Sequence, residues 1–341
     1  MPRRHALSRE SWTAVSVNVR ASCGIARRIP PEHPMSVATQ QVVYVLSGDS
    51  LPSAARYVSG VSLSILSLRR FHPTAVVVCL CDRPLHEIIV ANNHPILRLA
   101  DRIEVCPDAT GGPVHRSRYL KTTLRRHLEG PFLYLDADTL VAGPLDELSR
   151  WTADASFTLD RFFPEEPGRF PSWLLPHYQH LGWPPTDRYF NGGFFRVAAT
   201  PAAARLFDAW HTNWLATVRV GIVSDQPSLN RAIATGDAEI GVLPERFNQT
   251  VGRIAFTVSS DTRVLSFLAS RRDTMAAAYV GLIERFSACG DVRTEDIAAI
   301  TSEGVSYARH DLSVVGDLRR RLAERVGRTA ARFGLWRASR E

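Results

Sequence analysis

At 341 residues, 45% of them hydrophobic and 22% charged, the chain has material for one large α/β domain or two small ones, and it holds no apolar run of about 18 residues that could span a bilayer. Its net charge of +7 sits at the ends: +4 on residues 1–34 and +5 on residues 313–341 leave −2 on residues 35–312. That mildly acidic body excludes a nucleic-acid-binding one, because phosphate backbones need a clustered basic face on the folded domain.

Residues 1–34 show neither helical nor strand period and end in Ile29-Pro30-Pro31-Glu32-His33-Pro34, so residues 1–38 read as a poorly ordered extension. Its Arg-dotted start lacks the continuous apolar stretch of a secretory signal, and the expectation is a cytoplasmic protein. Cys23, Cys79, Cys81, Cys106 and Cys289 have no metal spacing and read as buried reduced thiols. Val42–Leu46 reads as a buried strand. Pro52 opens an amphipathic helix through Leu68, and Ala75–Leu80 is a second strand. Ile103–Val105, Phe132–Leu135 and Phe157–Leu159 add short strands between helical segments. The alternation predicts an α/β domain over residues 39–312, a mixed, mostly parallel sheet with flanking helices. Such sheets bind ligands at the carboxyl ends of their strands.

Asp136-Ala137-Asp138 follows Phe132–Leu135 at such an end. Carboxylates at i and i+2 project to one side of extended backbone and suit one hard cation, Mn²⁺ or Mg²⁺, although Asp also turns the chain after strands without any ligand. In Phe190-Asn191-Gly192-Gly193-Phe194 the glycines either admit a ligand close to backbone or make a β-bulge. Ser224-Asp225-Gln226-Pro227 reads as a helix start with Ser224 as cap and Asp225 beside the dipole, a role that needs no ligand. Between Asp160 and Tyr189, Phe162, Phe163, Phe170, Trp173, Tyr178 and Trp183 either face an acceptor sugar or pack a loop onto the core. Residues 313–341 set Val314, Val315, Leu318, Leu322 and Val326 at helical spacing with arginines on other faces. This basic amphipathic helix either packs on the domain or lies peripherally on an anionic inner-membrane surface.

The fixed order of Asp136-Ala137-Asp138, Phe190-Asn191-Gly192-Gly193, Asp225-Gln226-x-x-Leu229-Asn230 and Leu243-Pro244-x-x-Phe247-Asn248 resembles the family-8 retaining glycosyltransferases, the glycogenin-like group of GT-A fold, over residues 42–272. The resemblance implies transfer of a sugar from a nucleotide-diphosphate donor, most often uridine diphosphate, to a glycan, protein or small-molecule acceptor with retention of configuration. It implies Mn²⁺ or Mg²⁺ on Asp136 and Asp138, and Asp225, Gln226 and Asn191 nearest the reacting carbon. Arg118, Lys121, Asp160, Gly192, Gly193, Asn248 and Arg272 would hold the donor, and Leu46, Ser47 and Gly48 its nucleoside.

Two departures stand out. Ser266 occupies the place of the group's third metal ligand, a His, with Arg272 where a Lys would follow and no Pro-Trp after it; a hydroxyl is the poorer ligand, so the metal would lean on the two Asp residues and the diphosphate. Pro52 stands where the group has a Tyr that packs on the base. A catalytically impaired sugar-nucleotide-binding protein remains an alternative. So does a sugar-nucleotide nucleotidyltransferase, although Ser47-Gly48-Asp49-Ser50-Leu51-Pro52 is not the Gly-rich, Arg-bearing loop that would receive a triphosphate.

Overall fold

The first strand, β1 (Gln41–Leu46), is buried from Val42 onward, as a strand covered on both faces requires. This computed structural model describes residues 41–163, 166–252, 255–267 and 277–307; the extension 1–38, the segment 313–341 and Arg272 lie outside the described residues. Helix α1 (Leu51–Arg69) is capped by Ser50, whose side chain accepts from Ser53 N, and carries Pro52 in its first turn, where a missing N–H costs nothing. Then come β2 (Val76–Asp82), α2 (Arg83–Ala91), α3 (Ile96–Leu99), β3 (Arg102–Cys106), α4 (Pro113–Thr122), α5 (Leu124–His127), β4 (Phe132–Leu135) and β5 (Thr139–Val141). They are followed by β6 (Ala155–Leu159), α6 (Leu175–His180), β7 (Phe190–Val197), α7 (Pro201–Arg219), α8 (Gln226–Thr235), β8 (Ile240–Leu243) and β9 (Gln249–Val251). Last are β10 (Phe256–Thr257), β11 (Val264–Phe267), α9 (Ala277–Cys289), α10 (Thr294–Thr301) and β12 (Ser306–Tyr307).

The main sheet has the order β3-β2-β1-β4-β7-β6-β8, and β7 alone runs against the rest. The expected mixed, mostly parallel sheet is therefore present, and β1, β2, β3 and β4 end at one edge. Alternation along β1 sends Val42, Tyr44 and Leu46 into a core beneath α1 and α2, and Val43 and Val45 into a second core beneath α4, α5, α7 and α8. A smaller sheet, β5-β11-β9, packs with α9 and α10 into a third core that reaches α1 through Leu63.

Helix α1 is tied to β5 by hydroxyls that an amphipathic reading does not anticipate. Ser64 Oγ lies 3.0 Å from both Tyr44 Oη and Thr139 Oγ1, and Val141 N donates to Ser67 Oγ at 2.8 Å. Cys79, Cys81 and Cys106 are buried free thiols as expected. Cys289 corrects the expectation: it is exposed at the end of α9, while Cys23 lies outside the described residues. Among the described residues no helix is long and apolar enough to cross a membrane.

Candidate active site

Asp136 leaves β4 with its N–H on Gly193 O at 2.9 Å. Ala137 and Asp138 then form a turn, which corrects the expectation of extended backbone: the turn, not strand alternation, brings both carboxylates to the wall of one cleft of about 140 Å³. Thr139 Oγ1, held by Ser64, donates to Asp136 O at 2.9 Å. From beneath, Gly60 of α1 approaches so closely that a Cβ there would stand 2.3 Å from Ala137 O. Gly60→Ala should gain about 1 kcal/mol of helix propensity yet lose about 1–3 kcal/mol to overpacking against a backbone atom. We expect the turn to shift and nucleotide binding to weaken severalfold more than the melting temperature would imply. Unchanged nucleotide affinity in calorimetry would refute this support.

The glycine-bearing strand combines both readings of its sequence. Phe157 pairs with Phe195 but Thr158 with Asn191, so residues 192–194 bulge out of the β6–β7 ladder. A Cβ on Gly193 would stand 3.0 Å from Asn191 Oδ1 and 3.2 Å from Asp136 Oδ2, whereas one on Gly192 meets nothing nearer than 3.5 Å. Space is therefore tight at 193 and ordinary at 192. Asn191 Oδ1 accepts from Gly193 N at 2.7 Å and Asn248 Nδ2 at 2.8 Å. Asn191 Nδ2 and Gln226 Nε2 both donate to Asp160 Oδ2, at 3.1 and 2.8 Å. These four residues thus form one polar cluster, with Asp160 and Asn248 buried and Asn191 and Gln226 half-buried.

Lys121, only 3% exposed, joins the two halves of the site: its Nζ donates to Asp136 Oδ1 at 2.9 Å and lies 3.5 Å from Asp225 Oδ2. Tyr134 Oη also donates to Asp136 Oδ1, at 2.6 Å, leaving Oδ2 on the Gly193 side. Burial and the neighbouring Asp136 carboxylate push the Tyr134 phenol well above its usual value, so it stays a donor. Arg118 Nε stands 3.1 Å from Asp225 Oδ1.

Asp225 corrects the capping expectation. It, not Ser224, occupies the N-cap position of α8, and it makes no side-chain capping bond; its carboxylate turns to Lys121 and Arg118. Burial alone would raise its pKa, but those two cations outweigh burial and hold it below the ordinary 3.8. Among the described residues, Asp225 Oδ2 and Asn248 Oδ1 are buried without a hydrogen-bond partner.

The carboxylates of Asp136 and Asp225 stand against Lys121 and Arg118, and Asp138 and Asp160 lie at the neighbouring cleft walls. Among the described residues no group of three or more His, Cys, Asp or Glu is arranged to hold a metal ion. One or two carboxylates completed by substrate phosphates are nonetheless the usual donor set for Mg²⁺, and the oxygen donors of Asp136 and Asp138 fit that chemistry. Strand β11 brings Ser266 alongside: Ser266 pairs with Thr139, and Phe267 N donates to Asp138 O at 2.7 Å.

The residues expected to take the nucleoside are only partly at the cleft. Ser47 lines it with its hydroxyl bonded to buried Asp82, Leu46 turns into the core, and Gly48 faces Ala54, where a Cβ would stand 2.6 Å from another. Sequence reasoning missed Gly60, Tyr134, Tyr57 and Val114. Only Gly60 carried a signal, as a lone glycine inside a helical pattern.

A second cleft, of about 470 Å³, is lined by Asp160 and Gln226 of the polar cluster and walled by Phe162, Trp173 and Tyr189. The aromatic stretch therefore divides. Phe170, Tyr178, Trp183 and Tyr189 make a small core of their own, while Trp173, 42% exposed, packs 4.1 Å from Phe162 at the cleft wall.

The sequence profile described as nucleotide-diphospho-sugar transferase matches residues 74–266, more than half of the chain. No curated protein matches it. Among solved structures, an active-site mutant of LgtC is 16% identical with a TM-score of 0.51, the match covering 76% of this chain and 99% of that one. The galactosyltransferase LgtC in complex with donor and acceptor sugar analogues is 15% identical with a TM-score of 0.49, covering 75% and 98%. The glycosyltransferase GlyE of Streptococcus pneumoniae TIGR4 is 13% identical with a TM-score of 0.50, covering 76% of this chain and 63% of its own. Likeness at such identities speaks for a shared fold alone.

Proposed function

The chain belongs to the nucleotide-diphospho-sugar transferase family, with its GT-A fold, and from that premise we propose that it moves a sugar from a nucleotide-diphosphate donor to a hydroxyl acceptor with retention, assisted by a divalent cation. The observation that carries this reading is the buried Asp225 carboxylate. Lys121 and Arg118 fix it, its Oδ2 takes no hydrogen bond among the described residues, and through Lys121 it stands beside the carboxylate turn. An acceptor oxygen so placed suits a sugar hydroxyl.

Asp136 and Asp138 would hold Mn²⁺ or Mg²⁺, which when bound supplies charge neutralisation for the donor diphosphate. Asp160, presented by Asn191 and Gln226, orients the donor sugar, and Asn248 adds the free carbonyl of its amide. Lys121 and Arg118 are preorganised cations for the negative charge that grows on the departing diphosphate. The bond from the anomeric carbon to the phosphate oxygen breaks. The acceptor hydroxyl oxygen bonds to that carbon on the same face, and its proton passes to the diphosphate oxygen just released. Uridine diphosphate is the nucleotide the family resemblance favours.

The second cleft is the acceptor side of this reading, because Trp173 offers an apolar ring face to the flat face of a sugar. Trp173→Ala should raise the acceptor KM about threefold to tenfold, the worth of one aromatic contact, with donor KM unchanged in initial-rate assays. An unaltered acceptor KM would remove Trp173 from the acceptor site.

Ser266 favours one second reading, a protein that binds the donor and turns it over poorly. Calorimetric titration of the full chain with a panel of nucleoside diphosphates, with and without Mn²⁺, tests the donor reading. Metal-dependent binding of uridine diphosphate is expected, and no binding of any nucleotide would overturn it. Incubation with the sugar nucleotide then separates transfer or slow hydrolysis from binding alone.

A further inference from the structure

The hydroxyl of Tyr279 on α9 is buried and, among the described residues, has no hydrogen-bond partner. A buried hydrogen bond left unmade is costly, so such a group calls for a reason. Its place is fixed by packing. The ring stacks on Phe267 with centroids 4.0 Å apart and planes 10° from parallel, and Phe267 is the residue whose N–H holds Asp138 O at 2.7 Å. Tyr279 Oη stands 3.2 Å from where a Cβ on Gly60 would be, and Ala137 O stands 2.3 Å from the same point. Glycine at 60 thus leaves the phenol and the Ala137 carbonyl as neighbours around a space that a side chain would occupy. Burial, and after it the Asp138 carboxylate, push the phenol well above its usual value, so it keeps its proton and can only donate it in a hydrogen bond.

The Ala137 carbonyl belongs to the planar peptide that leads into Asp138, so its direction governs where the Asp138 carboxylate points. We propose that Tyr279 is a positioning residue for the carboxylate turn: its hydroxyl donates to Ala137 O when Asp136 and Asp138 close on the cation of a bound donor, and stands unpaired otherwise. This deepens the donor reading above and rests on it. Tyr279 acts through the turn and touches neither cation nor sugar. Its unmade bond in the ligand-free protein becomes part of the binding free energy of the metal-nucleotide pair.

Tyr279→Phe keeps the stacked ring and removes only the hydroxyl. Because that hydroxyl is unpaired in the ligand-free protein, the variant should melt at or above the wild-type temperature without ligand. Calorimetric titration of the full chain with uridine diphosphate over a series of Mn²⁺ concentrations gives the opposite sign. The Mn²⁺ concentration that half-saturates binding should rise about 10- to 100-fold, the usual loss when a metal ligand is deprived of its support. Ser59→Ala is the control, since it cuts the 2.8 Å bond between Ser59 Oγ and Ser287 Oγ that also joins α1 to α9. It should lower the melting temperature and leave the Mn²⁺ requirement unchanged. With a wild type that binds, a Tyr279→Phe protein of unaltered Mn²⁺ requirement overturns the positioning role alone. One that melts lower without ligand overturns it too, because the hydroxyl then serves the resting fold. Equal weakening in Ser59→Ala has the same meaning, since any loosening of α9 would then suffice. Wild-type protein that binds no nucleotide in Mn²⁺ would overturn the donor reading itself, and the role of Tyr279 with it.

Discussion

Lys121→Met should cost about 3 kcal/mol of folding free energy in urea unfolding and lower kcat by about 100-fold or more. Methionine keeps the buried stem and removes the charge, so the loss isolates the electrostatics. Asp225, 5% exposed, would keep Arg118 as its one neighbouring cation, which places the cost at the low end for a broken buried pair. The pH dependence has a definite sign. In the wild type the Asp225 carboxyl lies below its ordinary 3.8 in spite of burial, because Lys121 and Arg118 outweigh it. A carboxyl depressed in the folded state contributes stability above its unfolded value and loses that contribution as pH falls through the folded one. In the variant burial is opposed by Arg118 alone, so the folded carboxyl rises, and taking up a proton relieves a poorly paired buried charge. The stability gap between the two proteins should therefore narrow as pH is lowered from neutrality to about 3. A gap that is constant across that range would mean the pair has no electrostatic role.

The second large effect is expected at the carboxylate turn. Asp136→Ala and Asp138→Ala should each weaken Mn²⁺-dependent binding of uridine diphosphate by about 100-fold or more, since even residues that only support metal ligands cost 10–100-fold. Asp136→Ala carries an additional penalty, because the buried Tyr134 hydroxyl loses its acceptor, an omission worth about 1–3 kcal/mol. Asp136→Asn keeps an oxygen for Tyr134 and lacks the charge. It should fold more stably than Asp136→Ala while binding the metal-nucleotide pair just as poorly. Wild-type affinity in Asp136→Asn would show that the carboxylate is there for Tyr134 and Lys121, not for a cation.

The parallel strands were legible because a strand covered on both faces must be apolar along its length, and β1, β2 and β4 are, apart from Gln41 at the start of β1 and Asp82 at the end of β2. The place of Asp136 and Asp138 at the end of such a strand was legible too, but the turn between them was not, because Asp-Ala-Asp reads equally well as extended backbone. The start of α8 was not: Ser and Asp serve almost equally as caps, and the choice at 224–225 is made by Lys121 and Arg118, which approach from a helix far away in sequence. Gly60 shows the same limit. Its cost within a helix marks it as purposeful, but that the purpose is the carbonyl of Ala137 depends on packing no local pattern encodes. The serines of α1 disguise a buried helix as an amphipathic one, because their hydroxyls are satisfied by β5 and by the helix's own carbonyls.

The reversed strand β7 lies between β4 and β6, and its bulge supplies the carbonyl that holds Asp136 N–H and the Asn191 amide that Asn248 braces. Nothing upstream of β7 completes the site, and pairings so distant in sequence form late and slowly. On the donor reading, a growing or half-folded chain would therefore lack the assembled site. Ligand at about 100 times its dissociation constant would add roughly 2.7 kcal/mol to the finished fold alone, so abundance of the donor would act on this protein as a selective stabiliser of its mature state.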